Sequence, residues 1–237
     1  MTTETGPARA HRTDDSLGFL GDKVAATIQR LEQEAAGDGR TIAQVSATLA
    51  EWEPRSETTW LESMTTLAER SLLPVAREVG RLLFQLALSK GPVQIVEYGT
   101  SFGMSTLFLA AAARETGGRV IGTEMSEHKA AHAAKNLESA GLSDYADILV
   151  GDARTELKKI DGPVGLLLLD GWVPLYLPIF QQLEPHLVPG SLVVADTVAK
   201  HADRLDGFYE HVDAQGDRYA RTRIPLDDGI DVISRVR

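Results

Sequence analysis

Residues 93 to 124 constrain the fold most, because they predict a strand, a glycine turn, a helix and a second strand in direct succession. The apolar run Val93–Tyr98 has the character of a buried parallel strand. Gly99 and Gly103 flank the turn that leads into a predicted helix from Met104 to Arg114. Because glycine lets a backbone turn tightly and approach a ligand closely, this stretch predicts a nucleoside-binding α/β unit.

An acidic residue, Glu124, follows the second strand of this unit at its carboxyl end. A carboxylate in that position can accept hydrogen bonds from both hydroxyls of a ribose. The fingerprint of nicotinamide dinucleotide sites is G-x-G-x-x-G, whereas this chain has G-x-x-x-G between residues 99 and 103. The pattern therefore disfavours a pyrophosphate ligand and leaves a nicotinamide oxidoreductase as the weaker alternative.

Composition excludes several classes of partner for this chain. A formal net charge of −10 disfavours binding to nucleic acid or to an anionic membrane surface, because the average surface repels both. The chain has no cysteine, which excludes disulfides, thiolate metal sites and a cysteine nucleophile. Neither a signal peptide nor a membrane span is evident. We expect a soluble cytoplasmic protein whose partner is a small molecule.

Strands and helices alternate from residue 93 onward, which predicts an α/β fold with a parallel sheet covered on both faces. The alternating pattern around Asp227-Asp228-Gly229 predicts an antiparallel hairpin near the C-terminus. We divide the chain into a disordered tail at residues 1–16, a helical flank or cap at 17–90 and an α/β domain at 91–237. The apolar helices of the flank also predict a homodimer.

Acidic residues follow the predicted parallel strands at their carboxyl ends, where ligands bind in open α/β sheets. They are Glu97, Glu124, Asp152, Asp170 and Asp196. A row of carboxylates along one edge of a sheet makes an electronegative crevice. The sequence therefore predicts a cationic ligand.

The segment Val96–Thr106 resembles the first motif of class I S-adenosylmethionine-dependent methyltransferases, in the branch of catechol and caffeoyl-coenzyme A O-methyltransferases. The resemblance extends through Gly122–Glu124, Gly151–Ala153, Leu169–Trp172 and Val194–Thr197. It implies a Rossmann-like, seven-stranded and mostly parallel sheet whose last strand is antiparallel. It also implies methyl transfer from S-adenosylmethionine to a small acceptor, which we expect to be an aromatic or secondary-metabolite-like hydroxyl.

The resemblance assigns a set of cofactor-binding residues to the strand ends. They are Glu97, Gly99, Ser101, Gly103, Ser105, Glu124, Asp152, Ala153 and Asp170. Glu97 and Gly99 would lie near the methionine moiety, and Glu124 would hold the ribose. Because a sulfonium is positive, an acidic pocket lowers its free energy without a phosphate cradle.

Each of these cofactor positions has a structural alternative, which is strongest at two of them. Asp152, which with Ala153 would meet the adenine edge, is also typical of a surface turn. Ser105, which with Ser101 and Gly103 would line the glycine turn, is also typical of a helix cap. Both alternatives stay open at the level of the sequence.

The sequence departs from the resembled family on the acceptor side. In that family two aspartates and an asparagine hold a divalent cation, and a lysine serves as base. Asp170 and Asp196 match the aspartates, but Thr197 replaces the asparagine and Val173 stands at the lysine position. A site in which Asp170, Asp196 and Thr197 hold Mg²⁺ and a metal-free site both remain open.

Candidates for the remaining chemistry lie close to these acidic residues. Asp170 is a candidate catalytic residue, and His201 and Tyr176 are candidates for removing a proton from the acceptor. Trp172 and Tyr176 are candidate acceptor contacts, with core packing as their structural alternative. A solvated helix start is the alternative for His201. N- or C-methylation without metal, or a catalytically silent cofactor-binding protein, are the competing functions.

The helix predicted from Ser126 to Ala140 follows Glu124 in the sequence. Its apolar face is predicted to consist of Ala130, Ala133, Ala134 and Leu137. That assignment leaves His128 and His132 in solvent together with Lys135. The two histidines are therefore not expected to form a metal site.

Overall fold

A computed structural model describes residues 16–37, 47, 57–196 and 204–237 of the chain. Its centre is a seven-stranded sheet in the order β3-β2-β1-β4-β5-β7-β6. The strands are β1 Gln94–Tyr98, β2 Arg119–Glu124, β3 Ala146–Val150, β4 Val164–Leu169, β5 Leu187–Asp196, β6 Tyr219–Ile224 and β7 Ile230–Arg235. Only β7 runs against the other strands of this sheet, and it pairs with β5 and β6. The predicted fold class, including the antiparallel last strand, is confirmed.

Helices cover both faces of the sheet. Within the described residues they are α1 Asp22–Ala35, α2 Glu57–Ala68, α3 Arg77–Lys90, α4 Met104–Thr116, α5 Glu127–Ala140, α6 Ala153–Glu156, α7 Tyr176–Leu183 and α8 Asp206–Asp213. The predicted tail at residues 1–16, except Ser16, and most of the helix predicted from Thr41 lie outside the described residues. No helix in the described ranges has the length and apolar character needed to cross a membrane.

The central strand β4 shows how the two layers form, because all six of its residues are buried. Leu166 and Leu168 pack with α1, α3, α4 and α5 on one face of the sheet. Leu167 and Leu169 pack with α2, α7 and α8 on the other face. Each buried leucine contributes about 1.5–3 kcal/mol of transfer free energy. Since α1 and α3 share a core with α4, these flank helices are packed directly onto the sheet, and the division at residue 90 remains a prediction.

The strand register brings the predicted site residues to one edge of the sheet. Tyr98 of β1 pairs with Thr123 of β2 and with Leu169 of β4. Leu169 in turn pairs with Ala195 of β5. Because these strands are parallel and end at the same level, the residues that follow them lie side by side.

Candidate cofactor and acceptor site

A cavity with an empty volume of about 920 Å³, open solvent at its mouth included, lies at the carboxyl ends of the central strands. The predicted site residues that line it are Gly99, Ser101, Ser105, Glu124, Asp152, Ala153, Asp170 and Trp172. Its roof is formed by α2 and by the segment between α2 and α3, which contribute Leu61, Thr65 and Leu73. The structure therefore gathers most of the predicted site around one space.

The carboxylate of Glu124 is held in place by two backbone amides. The N–H of Ser101 donates to its Oε2 at 2.8 Å, and the N–H of Ser126 donates to its Oε1 at 2.8 Å. A carboxylate has about four lone-pair sites, so both oxygens keep acceptor capacity toward the cavity. This arrangement suits a ligand that presents hydroxyl donors.

Glu97 is fully buried next to the cavity rather than on its surface. Its Oε2 accepts hydrogen bonds from the hydroxyls of Thr100 at 2.8 Å and Thr106 at 2.5 Å. Its Oε1 has no hydrogen-bond partner among the described residues. Burial raises the pKa of Glu97, and the nearby hydroxyls of Ser105, Thr106 and Thr100 offset part of that rise. The partnerless Oε1 leaves Glu97 with unused acceptor capacity beside the cavity.

The glycine turn adopts backbone angles that most side chains disfavour. Gly99 has φ +100°, Ser101 has φ +50° and Gly103 has φ +87°. Gly103 does not line the cavity; it begins α4, and a Cβ there would lie 3.2 Å from the Cβ of Ala133. The hydroxyl of Ser101 donates to the carbonyl of Leu72 at 2.9 Å, which ties the turn to the roof segment.

The side-chain contacts give different answers for Ser105 and Asp152, the two positions where the structural alternative is strongest. Ser105 is buried inside the first turn of α4, whose N-cap is Gly103, so Ser105 is not the cap. Asp152 caps α6, where its carboxylate accepts from the N–H of Arg154 at 2.9 Å and pairs with the guanidinium. Arg154 lowers the pKa of Asp152. Asp152 still lines the cavity, but its carboxylate is largely committed to this turn.

Asp170 and Asp196 lie next to each other at the ends of the paired strands β4 and β5. Burial, and then the charge and hydrogen bonding of Asp196, raise the pKa of Asp170 well above its usual range. Two carboxyl groups this close share a proton or hold a cation. Within the described residues, no third histidine, cysteine or acidic residue joins this pair in a group that could hold a metal ion. Thr197 and His201 lie outside the described residues.

The loop after β4 is held by the side chain of Tyr98. The hydroxyl of Tyr98 accepts from the N–H of Trp172 at 3.1 Å and donates to its carbonyl at 3.3 Å. The ring fills the space beside Gly171, where a Cβ would lie 2.4 Å from its Cζ. Trp172 in turn meets Trp60 edge to face, with ring centroids 6.1 Å apart.

Tyr176 and Val173 both belong to the core and do not reach the cavity surface. The hydroxyl of Tyr176 donates to the backbone carbonyl of Asp196 at 2.7 Å, and its ring lies edge to face with Tyr98. We therefore do not retain Tyr176 as an acceptor contact or as a base, because packing and a backbone hydrogen bond account for it. Val173, which stands at the position of the lysine in the resembled family, is a buried aliphatic side chain.

One cavity residue, Lys129 of α5, was given no role by sequence reasoning. Lys129 is buried, whereas Ala134, which was predicted to be apolar-facing, is exposed. The signal was present in the spacing of Lys129, Ala133, Asn136 and Ala140, which repeats at helical intervals and matches the buried face. Because the prediction counted only apolar residues, it placed the buried face of α5 on a side of the helix that excludes Lys129.

A comparison with protein families matches residues 96–198 to the family described as "Methyltransferase domain". Among curated proteins, a catechol O-methyltransferase of Niastella koreensis is 30% identical over 177 residues, covering 72% of this chain and 80% of the relative. A Mycobacterium tuberculosis protein named "Probable O-methyltransferase Rv1703c" is 34% identical over 175 residues, covering 68% of this chain and 74% of the relative.

Among solved structures, the O-methyltransferase TomG of Streptomyces achromogenes, in complex with S-adenosylmethionine, superimposes with a TM-score of 0.65. It is 25% identical in sequence, and the match covers 70% of this chain and 82% of TomG. The structural match therefore agrees with the sequence relationships. The chain belongs to the class I S-adenosylmethionine-dependent methyltransferases, in the O-methyltransferase branch that includes catechol O-methyltransferase.

Proposed function

We propose that the acceptor of this O-methyltransferase is a small aromatic molecule whose hydroxyl lies beside Asp170. The observation that carries the proposal is the position of Trp172, which lines the cavity two residues after Asp170 and packs edge to face with Trp60. Aromatic side chains favour flat aromatic ligands through offset or edge contacts. The name of the Niastella koreensis relative, a catechol O-methyltransferase, supports the same class of acceptor.

For the cofactor, we propose that Glu124 binds the ribose hydroxyls and that Gly99, Ser101 and Ser105 line the methionine end. The two amides that fix Glu124 support this assignment, because they leave its outer lone pairs for hydroxyl donors. The acids around the cavity, Glu124, Asp152 and Asp170, support a cationic cofactor. Ala153 lines the cavity and remains a predicted contact of the adenine edge.

For the chemistry, we propose that the protein acts mainly by positioning. Methyl transfer is an in-line displacement, so alignment of the acceptor oxygen with the methyl group supplies much of the rate. A divalent cation, when bound, would polarise the acceptor hydroxyl and ease the loss of its proton. Asp170 and Asp196 would hold it, because two adjacent carboxylates offer hard oxygen donors and repel each other without a cation. Thr197 as a third ligand and His201 as a base stay predictions.

The acceptor proposal predicts that a phenolic or catecholic compound is methylated on oxygen. We expect mass spectrometry of a panel of phenols, aliphatic alcohols and amines, each incubated with S-adenosylmethionine, to detect one added methyl group on the phenolic oxygen. Methylation confined to amines or aliphatic alcohols would contradict the proposal. Binding of S-adenosylhomocysteine in calorimetry without any product would instead indicate a catalytically silent protein.

The metal proposal predicts that a chelator abolishes activity and that Mg²⁺ restores it. The binding isotherm of Mg²⁺ itself gives a second measurement, and we expect Asp196→Asn to weaken it because one of two charged ligands is lost. Glu184→Gln serves as the control, since this acid lies between α7 and β5, away from the cavity. Full activity after exhaustive chelation would assign the site to metal-free transfer.

We propose that the protein acts as a cytoplasmic homodimer. The apolar side chains Phe19, at 45% exposure, and Leu88, at 43%, lie on the helical flank and support a contact between copies. The absence of cysteine and the net charge of −10 are compatible with that compartment and disfavour nucleic acid as a partner. Sedimentation at several concentrations would measure the oligomeric state.

A further inference from the structure

Lys129 is a buried basic residue inside an acidic cavity. Its side chain emerges from α5 and lines the cavity, and only 5% of the residue is exposed. Its Nζ lies 3.3 Å from the hydroxyl oxygen of Ser101 and 5.6 Å from the ring centroid of Phe102. Lysine is seldom buried to this extent, because burial removes hydration from its ammonium.

The position of Lys129 is fixed by the same residues that fix Glu124. The hydroxyl of Ser126 accepts from the N–H of Lys129 at 3.2 Å and so caps α5. The N–H of Ser126 donates to one oxygen of Glu124, and the N–H of Ser101 donates to the other. The ammonium of Lys129 and the carboxylate of Glu124 therefore both contact Ser101, so the glycine turn fixes the position of one relative to the other.

The charges of the cavity complement those of the cofactor. S-adenosylmethionine carries two positive groups, the sulfonium and the ammonium, and one negative group, the α-carboxylate. Among the described lining residues the acids are Glu124, Asp152 and Asp170, and Lys129 is the cationic side chain. The acids suit the positive part of the cofactor, and a partly desolvated lysine suits a carboxylate through a charge-assisted hydrogen bond.

We propose that Lys129 binds the α-carboxylate of the methionine moiety of S-adenosylmethionine. The inference rests on the proposed cofactor site and deepens it. An ammonium attracts a carboxylate more strongly than it attracts neutral ribose hydroxyls, and Glu124 already offers those hydroxyls an acceptor. Lys129 thus fixes the tail of the cofactor while Glu124 fixes the ribose, with the glycine turn between them.

The experiment compares S-adenosylhomocysteine with its decarboxylated analogue, which lacks only the carboxylate. In calorimetry we expect the wild-type protein to bind S-adenosylhomocysteine about 10- to 100-fold more tightly than the analogue, as for loss of one charge-assisted hydrogen bond. In Lys129→Met that preference should disappear, while affinity for the analogue stays the same. Lys129→Arg should retain part of the preference, because it keeps the positive charge.

The matched control is Lys135→Met, which removes an exposed lysine from the same helix and should leave both affinities unchanged. Wild-type protein that binds the two ligands equally would overturn the proposal without any variant. An equal loss for both ligands in Lys129→Met would also overturn it, because the lysine would then act on the ribose or on the fold. Failure of the wild-type protein to bind either ligand would instead refute the proposed cofactor site.

Discussion

Replacing Gly99 with alanine is expected to abolish cofactor binding and to lower the free energy of unfolding by roughly 2 to 6 kcal/mol, the sum of backbone strain and overpacking. The backbone at Gly99 has φ +100°, a conformation that side chains rarely adopt. A Cβ there would lie 2.5 Å from the carbonyl oxygen of Asp170 and 2.7 Å from the Cα of Gly171. Both contacts are backbone atoms, so no side-chain rotation relieves them.

The surroundings of Gly99 also resist a shift of the backbone. The amides of Gly99 and Thr100 donate to the carbonyl of Thr123 at 3.3 and 3.0 Å, and the amide of Asp170 donates to the carbonyl of Tyr98 at 2.9 Å. These bonds clamp the turn between β2 and β4. Movement that accommodates a methyl group therefore displaces Asp170 as well, and we expect the acceptor side of the cavity to be disturbed together with the cofactor side.

Chemical denaturation and calorimetry with S-adenosylhomocysteine measure the two effects of Gly99→Ala. Gly117→Ala is the matched control, because Gly117 also has a positive φ, of 79°, but nothing lies within 4 Å of its Cβ position. That control should cost only the backbone strain, about 1–2 kcal/mol, and should leave ligand affinity unchanged. Equal losses in the two variants would show that close packing at Gly99 contributes nothing.

The fold was predictable because the signals that define it are local and repeated. The six consecutive buried residues of β4 read as an apolar run, and each parallel strand ends in or near an acid. Parallel strands end at one edge of a sheet, so Glu124, Asp170 and Asp196 had to converge once the alternation was recognised. Glu124 and Asp170 line the cavity and Asp196 lies beside Asp170, an arrangement that follows from topology and needs no knowledge of side-chain packing.

The residues that were missed or misassigned depend on contacts between distant parts of the chain. Tyr98, at the end of β1, and Gly171, in the loop after β4, form a complementary pair, and neither residue alone signals that one fills the space left by the other. A sequence pattern does not show whether the hydroxyl of Tyr176 contacts a ligand or the protein itself. In the structure this hydroxyl donates to the backbone carbonyl of Asp196. Lys129 was hidden by the assumption that a charged residue faces solvent.

Replacing Glu124 with alanine is expected to weaken binding of S-adenosylhomocysteine by about 1.5–3 kcal/mol, the cost of losing hydrogen bonds to a charged group. Backbone amides already orient both oxygens of Glu124, so the side chain loses little conformational entropy when it binds the ribose. Water can solvate the amides of Ser101 and Ser126 in the variant, and we therefore expect a smaller effect on the free energy of unfolding than on affinity.

Two further variants separate charge from shape at this position. Glu124→Gln keeps the size of the side chain but presents an amide group to one of the two backbone N–H donors, so it should lose most of the affinity that alanine loses. Glu127→Ala, an exposed acid in the first turn of α5, should bind as the wild type does. Unchanged affinity in Glu124→Ala would refute the ribose assignment, and an equal loss in Glu127→Ala would attribute the effect to the overall charge of the region. A loss confined to Glu124 would assign the interaction to this carboxylate, because the two variants remove the same charge from neighbouring positions.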